Sequence, residues 1–435
     1  MRILMFGWEF PPNISGGLGT ACYGLTRGLS KLSDVDVTFV VPKAFGDEDQ
    51  STMTLIGASD VPIINRKLKF RDFTRALECV EVSSSLVPYV DPEDYARQRS
   101  YTVAETKSWI ETDSQGKVKF TGKYGPDLLA EIARYALVAN VIAQDREFDL
   151  IHAHDWLAYP AGIAAKQISG KPLVIHVHAT DFDRSGGRVN PDVFAIEKQG
   201  MEAADKIITV SNLTRQVVID KYGVDPAKVV TVYNAVEPNL KRQTGPFKKG
   251  INEKVVTFLG RITTQKGPEY FVEAASRVLK DFDNVRFVMA GSGDMMNRMV
   301  RRVAELKLSG KFHFTGFLKG DDVLQMLQMS DVYIMPSVSE PFGISPLEAM
   351  QARVPVIISR QSGVAEILTN AIKVDYWDVD AMADAIHGIL AHPKLSRMLA
   401  RQGRKEVHNL TWEDSAIGVR RVYQSAVQMN ESVLN

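Results

Sequence analysis

The sequence predicts an α/β chain of two Rossmann-like, doubly wound domains facing across a cleft. Three observations predict this. Short apolar runs alternate with amphipathic stretches along most of the chain, the pattern of parallel strands covered by helices on both faces. The alternation runs twice, interrupted by PNLKRQTGPFKKGINEK at 238–254, which reads as a solvated linker, with a basic binding patch as the alternative. The length, 435 residues, exceeds what one core ordinarily fills. The expected domains are residues 1–237 and 255–412, with a last helix at 413–435 crossing back to the first.

Composition narrows the class. Hydrophobic residues at 45% and charged residues at 24% are those of an ordinary globular protein. Lys plus Arg and Asp plus Glu both number 52, so bulk charge gives no support to a nucleic-acid partner. The two cysteines, Cys22 and Cys79, argue against a disulfide framework and suit a reducing compartment. ILMFGWEF leads into PPNISGG rather than a small-residue cleavage site, so it reads as a first strand. No apolar run approaches the roughly 20 residues that span a bilayer. The expectation is a cytoplasmic protein without an integral membrane segment.

In the first domain that strand is followed by a glycine turn and a helix with Leu18, Cys22, Leu25, Leu29 and Leu32 at helical spacing. Gly16, Gly17 and Gly19 let main chain approach a ligand at the helix start, the alternative being tight strand-to-helix packing. A strand at 35–41 follows, and the alternation then lapses over 42–125. That segment reads as an insertion whose Tyr89, Tyr95, Tyr101, Trp109 and Phe120 form either a binding platform or, more commonly, a local core. Alternation resumes with a helix at 127–144 and the strands FDLIHAH, PLVIHVH, ADKIITVS and KVVTVYN. Two strand ends carry His152 and His154, and His176 and His178. Histidines satisfied by hydrogen bonds are the commoner explanation than zinc, so no metal site is expected.

The second domain opens with VVTFLGRITTQKGPEYFVEAA. Its strand-to-helix loop holds Arg261 and Lys266, and two fixed cations there suit a pyrophosphate. The loop lacks the Lys-Ser/Thr ending of a Walker motif. Further strands VRFVMA, KFHFTGF, DVYIMP, VPVIIS and AIKVD follow. After DVYIMP comes SVSEPFGISPLEAM, with Glu340 in a loop, Gly343 at a turn, and a helix start at Ile344 and Ser345. Ser345 is the expected N-cap, Pro346 the first helical residue, and Glu348 the carboxylate of a capping box. A strand followed by this loop and helix places Glu340 and Gly343 at the carboxyl edge of a parallel sheet, where ligands bind.

WEFPPNISGGLG, HAHDW, ADKIITVS, the Tyr233-Asn234 turn, GRITTQKG and EPFGISPLEAM occur in an order that resembles the retaining GT-B glycosyltransferases of family 4 and the neighbouring bacterial glycogen and starch synthases. The resemblance covers nearly the whole chain, and the last two motifs are its most specific part. It implies that Arg261 and Lys266 hold a donor diphosphate and that Glu340 contacts the transferred sugar. Glu348 then binds ribose hydroxyls, and Gly16 and Gly17 supply backbone N–H groups. His178 lies beside the donor sugar and Asp155 near the acceptor, with Glu9 and Trp156 as further acceptor-side candidates. Bacterial glycogen synthases carry Lys two residues before the paired glycines, where this chain has Ile14, so ADP-glucose and UDP-glucose both remain as donors.

The expected function is therefore glucosyl transfer from a nucleoside diphosphate glucose to the non-reducing end of an α-1,4-glucan, with retention and without cofactor or metal. The alternatives are a family 4 enzyme with a small sugar, sugar-phosphate or lipid-linked acceptor, and a non-catalytic nucleotide-sugar-binding regulator.

Overall fold

The computed structural model describes residues 1–14, 16–63, 112–237 and 250–434. The chain divides into two compact units: residues 1–182, 188–234 and 412–435 form unit 1, and residues 183–187 and 235–411 form unit 2. Tyr89, Tyr95, Tyr101, Trp109 and most of the expected linker lie outside the described residues.

The sheet of unit 1 comprises β1 (Arg2–Phe6), β2 (Asp36–Val41), β3 (Thr54–Gly57), β4 (Leu150–His154), β5 (Leu173–Val177), β6 (Lys206–Thr209) and β7 (Val229–Thr231). Their order is β3-β2-β1-β4-β5-β6-β7, every pairing parallel. All residues of β4 and β5 are buried, as strands covered on both faces must be. The longer helices are α1 (Gly17–Ser30), α2 (Leu128–Asp145), α3 (Tyr159–Ser169), α4 (Pro191–Ala203) and α5 (Asn212–Tyr222). Local sequence sets their ends. The Asn190 side chain accepts N–H bonds from Asp192 and Val193 at the start of α4. Ser211 accepts from Thr214 N–H to start α5, and Gly223 at φ +70° ends it.

Unit 2 repeats the plan with β8 (Lys254–Leu259), β9 (Val285–Ala290), β10 (Phe312–Gly316), β11 (Val332–Met335), β12 (Val356–Ser359) and β13 (Ile372–Val374). The order is β10-β9-β8-β11-β12-β13, again parallel. Its helices are α6 (Pro268–Asp281), α7 (Met296–Glu305), α8 (Asp321–Met329), α9 (Ser345–Gln351), α10 (Val379–Ala391) and α11 (Pro393–His408). Helix α6 shows why the pattern folds this way. Phe271, Val272, Ala275 and Val278 fall on one face and are buried against the sheet. Each such large apolar side chain contributes about 1.5–3 kcal/mol on burial.

The last helix, α12 (Trp412–Leu434), belongs to unit 1 and packs on α1. Glycines make that packing close. A Cβ at Gly24 would overlap the Trp412 ring, and one at Gly28 would overlap the Trp412 carbonyl.

Three local expectations are corrected. Part of the presumed insertion is strand β3, which pairs with β2 at the edge of the sheet; four residues after a Ser-Thr run are too few for periodicity to reveal. Phe120, 6% exposed, takes the commoner of its two readings, that of core, so the correction there is only to the platform alternative. Helix α9 is preceded by Ile344 at the N-cap position, with no side-chain cap, so Ser345 is its first residue and the capping box does not form. Gly343 at φ +101° turns the chain one residue early, and the Ser345 hydroxyl is taken by the Tyr333 hydroxyl of β11 at 2.8 Å.

Each sheet has one place where successive connections leave in opposite directions: between β1 and β4 in unit 1, and between β8 and β11 in unit 2. The crevice outside the carboxyl ends of such strands is where open α/β sheets bind ligands.

Candidate active site

In unit 2 the loops after β8 and β11 bring the predicted donor residues to the switch point. Lys266 Nζ donates to Glu340 Oε2. The Glu340 side chain is 8% exposed and that of Lys266 24%. Ser337 Oγ donates to the same carboxylate oxygen at 3.2 Å. The Glu340 backbone is pinned on both sides, its N–H donating to Gln361 O at 3.0 Å and its carbonyl accepting from Gly363 N–H at 2.8 Å. The carboxylate is thus fixed by contacts within the chain.

The lysine loop is equally constrained. Val338 N–H donates to Gln265 O at 2.9 Å, tying one loop to the other. Gly267 has φ +63°, and a Cβ there would strike the Pro336 carbonyl, so only glycine permits this approach. Ile262 N–H donates to Ser292 O at 2.9 Å, anchoring the half-buried Arg261 beside Gly260. The aliphatic stem of Lys266 runs near Gly260, 3.9 Å from where its Cβ would stand. The Lys266 stem and the Arg261 backbone therefore both stand at the β8 end.

Gly343 also protects Glu340. A Cβ there would come within 3.2 Å of Glu340 Cγ and 3.1 Å of Met335 Cε. Glu348, one turn into α9, is half-buried, and desolvation pushes its carboxyl above the usual range. Burial likewise pushes the Tyr333 phenol up, so its hydroxyl stays neutral and bridges β11 to Ser345. Sequence reasoning missed this bridge, because a tyrosine inside a strand carries no sign of its partner.

In unit 1 the residues after β1, β4 and β5 gather at the other switch point. Glu9, 5% exposed, accepts from Gly19 N–H at 3.3 Å in the first turn of α1, which has no acidic residue of its own. Gly16 and Gly17 open the helix, and a Cβ at Gly17 would meet nothing within 4 Å. Tight packing instead falls on Gly19, whose Cβ would overlap Ile14.

Asp155 sits at φ +59°, 6% exposed, and its Oδ1 accepts from His178 N–H at 2.7 Å and Ala179 N–H at 3.3 Å. It locks the turn after β5 to the end of β4. Trp156 is 2% exposed within the hydrophobic core. That corrects its place among acceptor-side candidates: a buried indole supports the loop from beneath and offers no face to a sugar.

His178 Nε2 lies 2.9 Å from His154 Nδ1, and His152 Nδ1 lies 2.7 Å from the Tyr423 hydroxyl of α12. The four rings of His152, His154, His176 and His178 form a stack with adjacent centroids 4.2–5.4 Å apart. Desolvation pushes all four imidazoles below their usual value, the Asp155 charge opposing it at His178. Hydrogen bonding satisfies only part of this group. His152 Nε2, His154 Nε2 and both His176 nitrogens are buried without a partner.

A family model described as "Glycosyl transferases group 1" matches residues 241–406, and one described as "Glycosyltransferase Family 4" matches residues 103–240. Together they cover more than half of the chain. The chain belongs to the family 4 glycosyltransferases of GT-B fold. This family 4 member is 28% identical to an uncharacterized glycosyltransferase of Methanocaldococcus jannaschii, covering 99% of both chains. It is 25% identical to a glycogen synthase of Mycobacterium tuberculosis over 98% of this chain and 95% of that one. It is 27% identical to an alpha-maltose-1-phosphate synthase of Mycolicibacterium smegmatis over 66% and 81%. Among solved structures it is similar in fold to sucrose-phosphate synthase of Thermosynechococcus elongatus, with a TM-score of 0.69 and 17% identity over 98% of both chains. It is similar also to Anabaena HepE in complex with UDP and glucose, with a TM-score of 0.66 and 17% identity over 98% and 100%. Among the described residues, no helix of this glycosyltransferase is long and apolar enough to cross a membrane.

Proposed function

We propose that this glycosyltransferase moves a glucosyl unit from a nucleoside diphosphate glucose to the non-reducing end of an α-1,4-glucan, with retention at the anomeric carbon. The observation that carries the reading is the switch-point cluster of unit 2. There Lys266, Arg261 and Glu340 are held by backbone bonds from two loops and by glycines that admit no side chain. The barrier to transfer is departure of a diphosphate, so fixed cations that receive the growing charge lower it without reorganising. Arg261 and Lys266 take that role in the proposal. Backbone N–H groups of Gly343, Ile344 and Ser345 assist them, and Glu348 holds the ribose.

Lys266 and Glu340 neutralise one another. A diphosphate competes for the ammonium group, which frees the carboxylate to accept hydroxyl groups of the sugar. Glu340 thus becomes an acceptor as the donor binds, linking phosphate recognition to sugar recognition. His178, its ring oriented by His154, is assigned to the donor sugar, and Asp155 orders the turn that carries it. Gly16 and Gly17 offer N–H groups to the donor, with Glu9 beside them on the acceptor side. This scheme needs no metal or cofactor.

A small phosphorylated acceptor is the second reading, favoured by similarity to the alpha-maltose-1-phosphate synthase. One experiment separates them: ADP-glucose and UDP-glucose, each supplied with glucan primer, with a hexose phosphate, and alone. Donor label entering polymer supports glucan extension. Label entering only the small acceptor supports the second reading, and no nucleoside diphosphate release under any condition overturns both.

A further inference from the structure

We propose that Cys22, His154 and His178 form a site for a thiophilic d10 cation of the Zn2+ class. One ligating atom from each lies within 4.8 Å of the other two. Zinc bonds of about 2.0–2.3 Å set tetrahedral ligand atoms about 3.3–3.7 Å apart, so displacements of about 1 Å close the set. Each ligand comes from a different element. Cys22, on α1, is 1% exposed; His154, at the end of β4, is 0% exposed; His178, after β5, is half-buried and gives the site a side open to solvent.

Two independent observations favour an ion here. His154 Nε2 is buried with no hydrogen-bond partner, a cost of about 1–3 kcal/mol that ligation removes. Its Nδ1 lies 2.9 Å from His178 Nε2, so two of the ligand rings already meet. The surroundings are also anionic. Asp155, 6% exposed, follows His154 in the chain, and its Oδ1 accepts from His178 N–H at 2.7 Å, so a carboxylate stands beside two of the ligands to offset the charge of a bound cation. Binding forms a metal–sulfur bond and releases the thiol proton to solvent.

A second set, His152, His154 and His176, also converges within 4.8 Å. It contains neutral imidazoles alone, so a dication there would keep its full charge in a low-dielectric core. The cysteine set is therefore preferred. Resting on the transferase reading, one consequence follows: a bound cation withdraws His178 from the donor sugar and inhibits transfer.

The test uses the full chain with Co2+ as a spectroscopic probe and Zn2+ as competitor. One Co2+ per chain is expected, with tetrahedral d–d bands and a sulfur-to-cobalt charge-transfer band, both erased by Zn2+. Cys22→Ser should lose the charge-transfer band and Cys79→Ser, altering the other cysteine, should keep it. Should Cys22→Ser fail to fold, release of one proton per Zn2+ bound by the unmodified protein and sulfur scattering at the bound zinc read the thiolate directly. No charge-transfer band in the unmodified protein, or its persistence in folded Cys22→Ser, overturns the site. Rates with and without Zn2+ are then compared within each variant. Inhibition that disappears in Cys22→Ser supports the regulatory consequence, and binding without inhibition overturns it. Because binding is read without turnover, absence of any transferase activity in metal-free protein would count against the function alone.

Discussion

Lys266 and Glu340 allow a structural ion pair to be told from a catalytic one. Lys266→Met leaves a carboxylate only 8% exposed, with Ser337 Oγ at 3.2 Å as its remaining side-chain donor. Breaking a fully buried pair costs about 3–5 kcal/mol. The Lys266 side chain is 24% exposed, so water screens part of the interaction and about 1–3 kcal/mol is the expected loss. That lowers the melting temperature of unit 2 by about 3–10 °C. Glu340→Gln should cost less, because the amide still accepts from Ser337 and an unpaired lysine reaches solvent. The double variant should recover much of the stability, giving a coupling of at least about 1 kcal/mol. Turnover should behave differently. If both groups act on the donor, each single variant and the double variant fall by about a hundredfold or more, because restored neutrality restores no cation for the phosphate. Calorimetry and a nucleoside diphosphate release assay on all four proteins supply the measurements. A double variant with near-normal turnover would refute the catalytic assignment, and strictly additive stability losses would refute the pair.

Three further outcomes are expected. Arg261→Ala should lower turnover by at least about a hundredfold, measured as nucleoside diphosphate release at saturating donor; an unaffected rate removes the phosphate role. Glu348→Gln separates stability from binding. A carboxyl raised in the folded state favours folding at low pH, and that contribution is lost as pH rises from the unfolded carboxyl range through the folded value. The amide should therefore melt about 1–3 °C higher than the parent at pH 7, with the gain vanishing below about pH 4, while the donor KM rises about tenfold. A lower melting temperature at pH 7 would contradict the charge argument. Finally, Gly24→Ala should destabilise unit 1 by about 1–3 kcal/mol by forcing Trp412 aside, whereas Gly17→Ala, meeting nothing within 4 Å, should leave melting almost unchanged; equal effects would show that the α1–α12 packing is looser than described.

Most of the fold was legible because parallel strands buried on both faces must be written as apolar runs. Each run named in the second half, from VVTFL to AIKVD, is a strand of the unit 2 sheet within a residue or two. Boundaries were legible only where a local device sets them. Asn190 and Ser211 bond the first turns of α4 and α5 as their chemistry suggests. Ser345 has the same chemistry but lost its hydroxyl to Tyr333, a contact between residues 12 apart that no local pattern encodes.

The site divides along the same line. Arg261, Lys266, Glu340 and Gly343 stand in two loops whose motifs name them, and Gly267 and Gly343 hold positive φ angles that favour glycine, so that part of the site was legible locally. The residues of unit 1 depend on contacts between strands. His154 and His176 face one another because β4 and β5 pair in that register, and Cys22 of α1 meets His154 and His178. Nothing in HAHDW or VIHVH states that register. A one-residue slip of β5 against β4 would send His176 to the other face and part it from His152 and His154. The pairing of β4 with β5 is therefore what creates the polar patch inside the unit 1 core, and any chemistry of that patch rests on the sheet rather than on either motif.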